Sequence, residues 1–254
     1  MDSLVKKRKK LFKDKVVVIT GGSSGLGHRI AKEFIKENAN LSICARRLHK
    51  LKKIYKNKAK VFFQKADVSK ERDIKNFIKK TIKRFGKIDI LINNAGIVKS
   101  SKIEHLKYKD LEKTFQINFF APIIFLKEVS KIMKKKNYGR IINISSGGSV
   151  NCAETFSTYS ASKAALNTLA KTLTKEIKGY NIKVNTMSPG PCKTAMFPTN
   201  KLSTSLSMPT IKYLSSLSKN GPSGNFYWFM NKINIIPNLS YINWSDPNFF
   251  RKNK

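Results

Sequence analysis

One segment constrains this chain more than any other: a strand that runs directly into glycines and then into a helix. Val16–Thr20 is five consecutive β-type residues, VVVIT, and Gly21-Gly22-Ser23-Ser24-Gly25-Leu26-Gly27 follows at once. A short, wholly apolar run of this kind is a strand buried on both faces. Glycines after it permit a tight turn and let backbone approach a bound pyrophosphate. The free N–H groups and dipole of the ensuing helix then attract that charge. A purely structural turn would use glycines too; the placement after a first strand and before a helix is what favours nucleotide binding.

The rest of the chain repeats the alternation. Strand patterns fall at Val16–Thr20, Leu41–Ala45, Val61–Gln64, Ile88–Ile92, Arg140–Ile144, Lys183–Met187 and Asn225–Met230. Helical patterns fall near 27–38, 48–56, 70–85, 108–136 and 158–178. Short apolar strands joined by such helices read as βαβ units. The expected fold is α/β: one domain with a doubly wound, Rossmann-type parallel sheet of about seven strands and helices on both faces. Residues 1–14 read as a basic N-terminal tail and 15–254 as the domain. Past Pro189 the pattern dissolves into Ser, Pro, Asn and aromatics, which reads as irregular chain with one late strand. In such a sheet, ligands bind beyond the carboxyl ends of the strands, where strand order reverses.

Charge excludes less than it suggests. The chain holds 51 Lys and Arg against 15 Asp and Glu, a net +36. Such a field draws anions of any kind. The lysines are spread over nearly every expected helix rather than gathered on one element, so no specific nucleic-acid partner is expected. Cys44, Cys152 and Cys192 are far apart with no CxxC pair, which argues against a disulfide framework or a metal site and suits a reducing compartment. The basic start, with its KKRKK, lacks the apolar core of a signal peptide. Phe119–Leu126 is the longest apolar run, far short of the roughly 18 residues of a membrane span. A soluble, cytoplasmic protein is the expectation.

Further blocks follow in order. Asn93-Asn94-Ala95-Gly96 closes the fourth strand and Ser145-Ser146 the fifth. Tyr159-Ser160-Ala161-Ser162-Lys163 opens the next helix, and Ser188-Pro189-Gly190 follows the sixth strand. With Thr20–Gly27, these resemble the short-chain dehydrogenase/reductase family from about Lys15 to Thr194. Singly each block has a bland reading, the Tyr/Lys pair as a helix surface contact and the Ser as a cap; their order is what makes the resemblance specific.

The chemistry fits on its own terms. Tyr159 and Lys163, four apart, project from one helix face. A tyrosine near its ordinary pKa of about 10 is a poor proton shuttle at neutrality, and a nearby ammonium favours the phenolate. Bringing it into range needs roughly 4 kcal/mol of differential interaction. The resemblance makes Tyr159 the general acid/base and gives Lys163 the nicotinamide ribose hydroxyls. Ser146 would stabilise the substrate oxygen, and Asn118 would hold a relay water next to Lys163. The expected catalytic set is therefore Asn118, Ser146, Tyr159 and Lys163.

The cofactor follows from the second strand. NAD-specific sites place an acid about 20 residues after the glycines to bind the ribose 2′-hydroxyl. No acid lies between Glu37 and Asp67; Ala45 stands there, followed by Arg46 and Arg47. Guanidinium binds a 2′-phosphate that a carboxylate would repel, so NADP is expected over NAD. By resemblance, Gly21, Ser23, Ser24, Gly25, Leu26 and Gly27 hold the pyrophosphate, Arg46 the 2′-phosphate, and Asp67 and Val68 the adenine. Asn94, Ala95 and Gly96 line the cofactor, Asn93 braces the sheet, and Pro189, Gly190 and Thr194 reach the nicotinamide and diphosphate.

The substrate is less legible. The stretch 193–220, with Met196, Phe197, Met208 and Tyr213, is the expected substrate loop, and Asn151, Cys152, Glu154 and Phe156 are further candidates to face the ligand. No Val-Asp-Gly-Gly ending closes the chain; an aromatic tail from about 230 to 254, with Trp244 and Phe250, stands in its place. A homo-oligomer, dimer or tetramer, is expected by resemblance, although that ending puts the usual tetramer contacts in question. Three functions remain open at this point: an NADP(H)-dependent carbonyl reductase or alcohol dehydrogenase, a 3-oxoacyl-[acyl-carrier-protein] reductase with an acidic carrier as partner and an acyl thioester as substrate, and a silent nucleotide- or nucleic-acid-binding protein.

Overall fold

Strand β1 (Val16–Thr20) lies in the middle of an eight-stranded sheet because its five residues are apolar or small and all are buried. The computed structural model describes residues 10–235; most of the basic tail, and the aromatic tail beyond 235 with Trp244 and Phe250, lie outside them. The remaining strands are β2 (Asn40–Ala45), β3 (Val61–Lys65), β4 (Ile90–Asn93), β5 (Gly139–Ile144), β6 (Ile182–Ser188), β7 (Phe226–Trp228) and β8 (Asn231–Ile233). They run in the order β3-β2-β1-β4-β5-β6-β7-β8. The first seven are parallel and β8 turns back antiparallel on β7.

Period-2 alternation splits the core into two layers. Val17, Ile19, Leu41 and Ile43 face α1 (Gly25–Lys36) and α8 (Met208–Ser215), where Ile30, Phe34, Ile211 and Leu214 meet them. Val18, Cys44, Leu91 and Ile141 face the other layer, built from α3 (Glu71–Phe85), α5 (Ala121–Lys135) and α7 (Ser157–Glu176). The shorter helices are α2 (Leu48–Tyr55), α4 (Tyr108–Phe115) and α6 (Gly148–Asn151). Helix α3 shows how local sequence sets an element. Ile74, Phe77, Ile78 and Thr81 make one buried stripe, Glu71 and Asp73 sit at its positive end, Lys83 and Arg84 at its negative end, and Gly86 caps it at φ 72°.

The expected fold holds, with three refinements. Beyond the seven parallel strands an eighth, β8, pairs antiparallel. The segment 193–220 is not wholly irregular: Met208, Ile211 and Leu214 fall on one face of α8, and Pro209 sits in its first turn, where a missing N–H costs nothing. The helix over 108–136 runs through a π turn, Gln116–Phe120, in which the Ala121 N–H donates five residues back to the Gln116 carbonyl.

Arg140, 1% exposed in β5, ties the edge of α8 to the sheet. Its Nε donates to Leu217 O at 2.7 Å, Nη1 to Gly139 O at 2.6 Å and Asn181 O at 2.9 Å, and Nη2 to Asn181 Oδ1 at 3.0 Å. The guanidinium also covers the Tyr138 ring at 4.6 Å. Arg140→Met keeps the length but strands those acceptors, and should lower unfolding free energy by about 3 kcal/mol in urea titration. A loss below about 1 kcal/mol would mean that water reaches the carbonyls.

Candidate active site

At the carboxyl ends of the parallel strands lies a cleft of about 840 Å³. It includes the point where strand order reverses between β1 and β4. Thr20 Oγ1 accepts the backbone N–H groups of Asn94 at 3.0 Å and Ala95 at 2.9 Å. Asn94 Nδ2 returns a bond to Thr20 O at 2.8 Å. The glycines are required by this closeness. Gly21 holds φ 73°, and a Cβ on Gly27 would fall 2.5 Å from both Asn94 Nδ2 and Gly21 O. Tyr55, outside every motif, steadies the loop by donating to Gly22 O at 2.8 Å.

The start of α1 is open to an anion. Ser24 stands at the N-cap but makes no side-chain capping bond, and no acid occupies the first turn. The Ser24 hydroxyl instead accepts from Arg47 Nη2 at 3.0 Å. Arg46 and Arg47 are both exposed, at the end of β2 beside Ala45. Burial opposes ionisation of Asp67, yet two hydrogen bonds from Ser69 and the nearby Arg46 hold its carboxyl below the usual range. Asp67 thus also caps its own turn, and Val68 lies beside it on the cleft wall. A glycine cradle with no room for side chains, an uncapped helix start and flanking guanidinium groups together fit a phosphorylated dinucleotide.

Tyr159 and Lys163 occupy successive turns of α7, 7% and 4% exposed. Lys163 Nζ donates to Ile144 O at 2.8 Å and lies 5.9 Å from the centre of the Tyr159 ring. Burial lowers the Lys163 pKa to about 8. Ser146 Oγ accepts the Gly148 N–H at 3.1 Å. A Cβ on Gly148 would lie 3.5 Å from Ser146 Oγ and 3.8 Å from the Tyr159 ring, so both groups crowd one glycine. The expectation that Tyr159 is shifted down does not hold for the chain by itself. Burial pushes the phenol above its ordinary value, with the Ser146 hydroxyl acting the other way.

Asn118 sits inside the π turn, fully buried. Its Oδ1 accepts the Ile97 N–H at 2.9 Å, and its Nδ2 donates to Ile97 O at 2.9 Å and Ser162 Oγ at 3.1 Å. It is behind Gly96 rather than on the cleft wall: a Cβ on Gly96 would meet Asn118 Oδ1 at 3.2 Å and Lys163 Nζ at 3.6 Å. Its amide locks the loop after β4 to α7. Asn93 bonds Asn143 across β4 and β5 at 2.8 Å, bracing the sheet.

The loop after β6 spans the cleft. Pro189 and Gly190, the latter at φ 72°, begin it; Thr194 packs over Gly25, and Phe197 reaches the Tyr159 ring at 6.4 Å between centroids. Of the substrate candidates, Met196, Phe197, Asn151 and Phe156 line the cleft. Cys152 and Glu154 do not; they border a separate depression on the far side of α6 and α7. Met208 is buried in the core, and Tyr213 packs against Tyr227. Sequence reasoning missed Trp228, whose indole edge rests on Gly147, because a late strand gives no sign of which loop it will face. Among the described residues, no group of three or more His, Cys, Asp or Glu is placed to hold a metal ion, and no helix is long and apolar enough to cross a membrane.

Comparison with known proteins gives the family and the fold. Residues 15–204 match the family model described as short chain dehydrogenase. An uncharacterized oxidoreductase of Thermotoga maritima is 37% identical over 185 residues, 70% of this chain and 72% of the relative. A 3alpha-hydroxysteroid dehydrogenase of Mediterraneibacter gnavus is 33% identical over 193 residues, 73% and 77% of the two chains. Among solved structures, ElxO with NADP bound superposes with a TM-score of 0.79 at 28% identity, covering 85% of this chain and 97% of that one. The 3-ketoacyl-(acyl-carrier-protein) reductase of Brucella melitensis, complexed with NADH, gives 0.80 at 24% identity over 85% and 96%, a likeness of fold.

The buried lysine predicts a pH signature. Below about pH 8 folded and unfolded chains both carry the Lys163 charge; between about 8 and 10.5 the folded chain has released a proton that the unfolded chain keeps. Stability contributed by this site therefore rises with pH across that window. Relative to Lys163→Met, the wild-type unfolding free energy should gain up to about 3 kcal/mol between those limits in parallel urea titrations. A difference independent of pH would mean that Lys163 is not desolvated.

Proposed function

The chain belongs to the short-chain dehydrogenase/reductase family, and from that premise we propose that it interconverts a carbonyl and a secondary alcohol with NADP(H), using Tyr159 as general acid/base. One observation carries the reading: Ser146, Tyr159 and Lys163 converge at one end of a cleft whose other end is held by Arg46 and Arg47 with no acid at Ala45. Bound NADP(H) supplies or accepts the hydride.

The chain's own residues do the rest. Ser146 Oγ and Tyr159 Oη hold the substrate oxygen between them, and charge developing there is stabilised by both hydroxyls. Burial keeps the phenol protonated in the free protein, which suits it to donate to an alkoxide during reduction. Lys163, held at Ile144 O, binds the ribose hydroxyls and, when charged, draws the phenol toward ionisation for the reverse reaction. Asn118 acts through Ile97 and Ser162, fixing the loop that carries Gly96 and the helix that carries Tyr159 and Lys163.

The glycine string and the uncapped start of α1 take the pyrophosphate. Arg46 and Arg47 bracket the 2′-phosphate, Asp67 and Val68 take the adenine, and Asn94, Ala95 and Gly96 form the inner wall. Pro189, Gly190 and Thr194 cover the nicotinamide and diphosphate side. The choice of NADP over NAD rests on the missing acid at Ala45, since a carboxylate there would repel the phosphate that the arginines attract. The three cysteines are unpaired, which suits a reducing, cytoplasmic setting. A homo-oligomer is part of the same reading.

Two substitutions test it. Tyr159→Phe should lower turnover at least a hundredfold while leaving NADPH affinity, read by nucleotide fluorescence, within threefold; retained turnover removes Tyr159 from the mechanism. Ala45→Asp should reverse the ratio of kcat/KM for NADPH over NADH, and an unchanged ratio refutes the assignment of the 2′-phosphate site.

A further inference from the structure

The substrate end of the cleft differs from the rest of this molecule in charge. The chain carries 51 Lys and Arg. Among the described residues, the only charged side chains that line the cleft are Arg46, Arg47, Asp67 and Lys163, all on the nucleotide side or in the reacting cluster. Beyond Tyr159 the wall is neutral. Phe156, Phe197 and Tyr159 form a triangle of edge-to-face rings with centroids 6.1 to 6.4 Å apart. Met196, Ala153 and Trp228 complete the apolar surface, and the polar groups beside them, Asn151 and Asn200, carry no charge.

Trp228 is held there by an unusual hairpin. Strands β7 and β8 are joined by two residues, Phe229 and Met230, with Trp228 paired to Asn231. Phe229 takes φ 52°, a left-handed conformation that a bulky aromatic rarely adopts. Its ring lies so close over Gly190 that no Cβ would fit there, as the Trp228 indole does over Gly147. One hairpin thus braces both loops that border the reacting cluster, the one after Ser146 and the one after Pro189. Strain of this kind persists where surrounding contacts over-determine it, and it gathers at sites where position matters.

Building on the oxidoreductase reading above, we infer that the substrate is a bulky, uncharged alicyclic or aromatic carbonyl compound or its alcohol, and that Trp228 sets the size accepted. A carboxylate or phosphate on the substrate would have to lose its hydration against aromatic faces with no cation among the described residues of that wall, whereas a neutral ring system buries apolar surface. Trp228 acts by contact with the substrate. Phe229, which does not line the cleft, is a positioning residue that acts through Gly190 and Trp228.

The test uses the full-length protein with NADPH and three probes: 2-tetralone as the bulky neutral ketone, butanone as the small one, and 2-oxo-4-phenylbutyrate as a bulky charged one. We expect kcat/KM for 2-tetralone to exceed that for the oxoacid at least tenfold. Trp228→Ala should lower kcat/KM for 2-tetralone at least tenfold more than it lowers kcat/KM for butanone, the difference lying in KM. Trp228→Phe, which keeps an aromatic wall, should recover most of the loss. Equal use of ketone and oxoacid, or an equal effect of Trp228→Ala on both ketones, overturns the inference. If no carbonyl is turned over, the oxidoreductase reading fails, and the slot is still decided by calorimetric binding of 2-naphthol against 2-naphthoate to the NADP-loaded protein. Tenfold tighter binding of the neutral ligand sustains the inference, and equal binding or none overturns it.

Discussion

The cleft hangs on one oxygen. Thr20 Oγ1 takes the N–H groups of Asn94 and Ala95 where β1 and β4, adjacent in the sheet, send their chains to opposite faces. Without that acceptor, two backbone donors at a half-buried turn would have no strand partner, because the parallel ladder ends there. The bond brings the loop after β4 onto the glycine turn so closely that only glycine serves at 21 and 27. The uncapped start of α1 and the cleft wall at Gly96 both follow from where this contact puts the two loops. The chemistry at one end and the charge at the other are then set at a fixed separation by a rigid sheet rather than by loops alone.

Desolvation acts in opposite senses on the two central groups. It moves Lys163 down to about 8 and Tyr159 up, so each is pressed toward its neutral form. A buried pair of this kind responds strongly to any charge brought beside it, because little water remains to screen the effect. Among the other described residues, Arg140 is the one fully buried cation, satisfied by carbonyls rather than by an acid.

Much of this was legible in the sequence, and the rest was hidden for physical reasons. Strands such as VVVIT and helices such as α3 announce themselves because burial on one or both faces imposes a period on the residues. The glycine string was legible from its place between a strand and a helix, the Tyr159/Lys163 pair from its spacing on one helix face, and Ser146 from the order of the blocks that resemble the family. Helix α8 was not, since serines and a proline obscure a buried stripe of only Met208, Ile211 and Leu214. The antiparallel turn of β8 was missed because Phe229 occupies a position where a hairpin ordinarily announces itself with glycine or asparagine. Asn118 was singled out by resemblance, but its enclosure behind Gly96 depends on the π turn, which no local pattern signals. Trp228 faces Gly147 only because β7 lies beside β6, a fact of topology rather than of spacing.

That last strand has a consequence for how the molecule keeps to itself. A parallel sheet ending on β7 would present an apolar aromatic rim, Phe226-Tyr227-Trp228, with unpaired backbone groups ready to zip onto another chain. By folding back, β8 replaces it with three residues, two of them the exposed Asn231 and Lys232. The opposite rim, β3, is five residues long and finishes on the exposed Lys65. Among the described residues, both rims of the sheet are therefore short and end in or carry an exposed lysine, the kind of edge that discourages strand-to-strand pairing between chains.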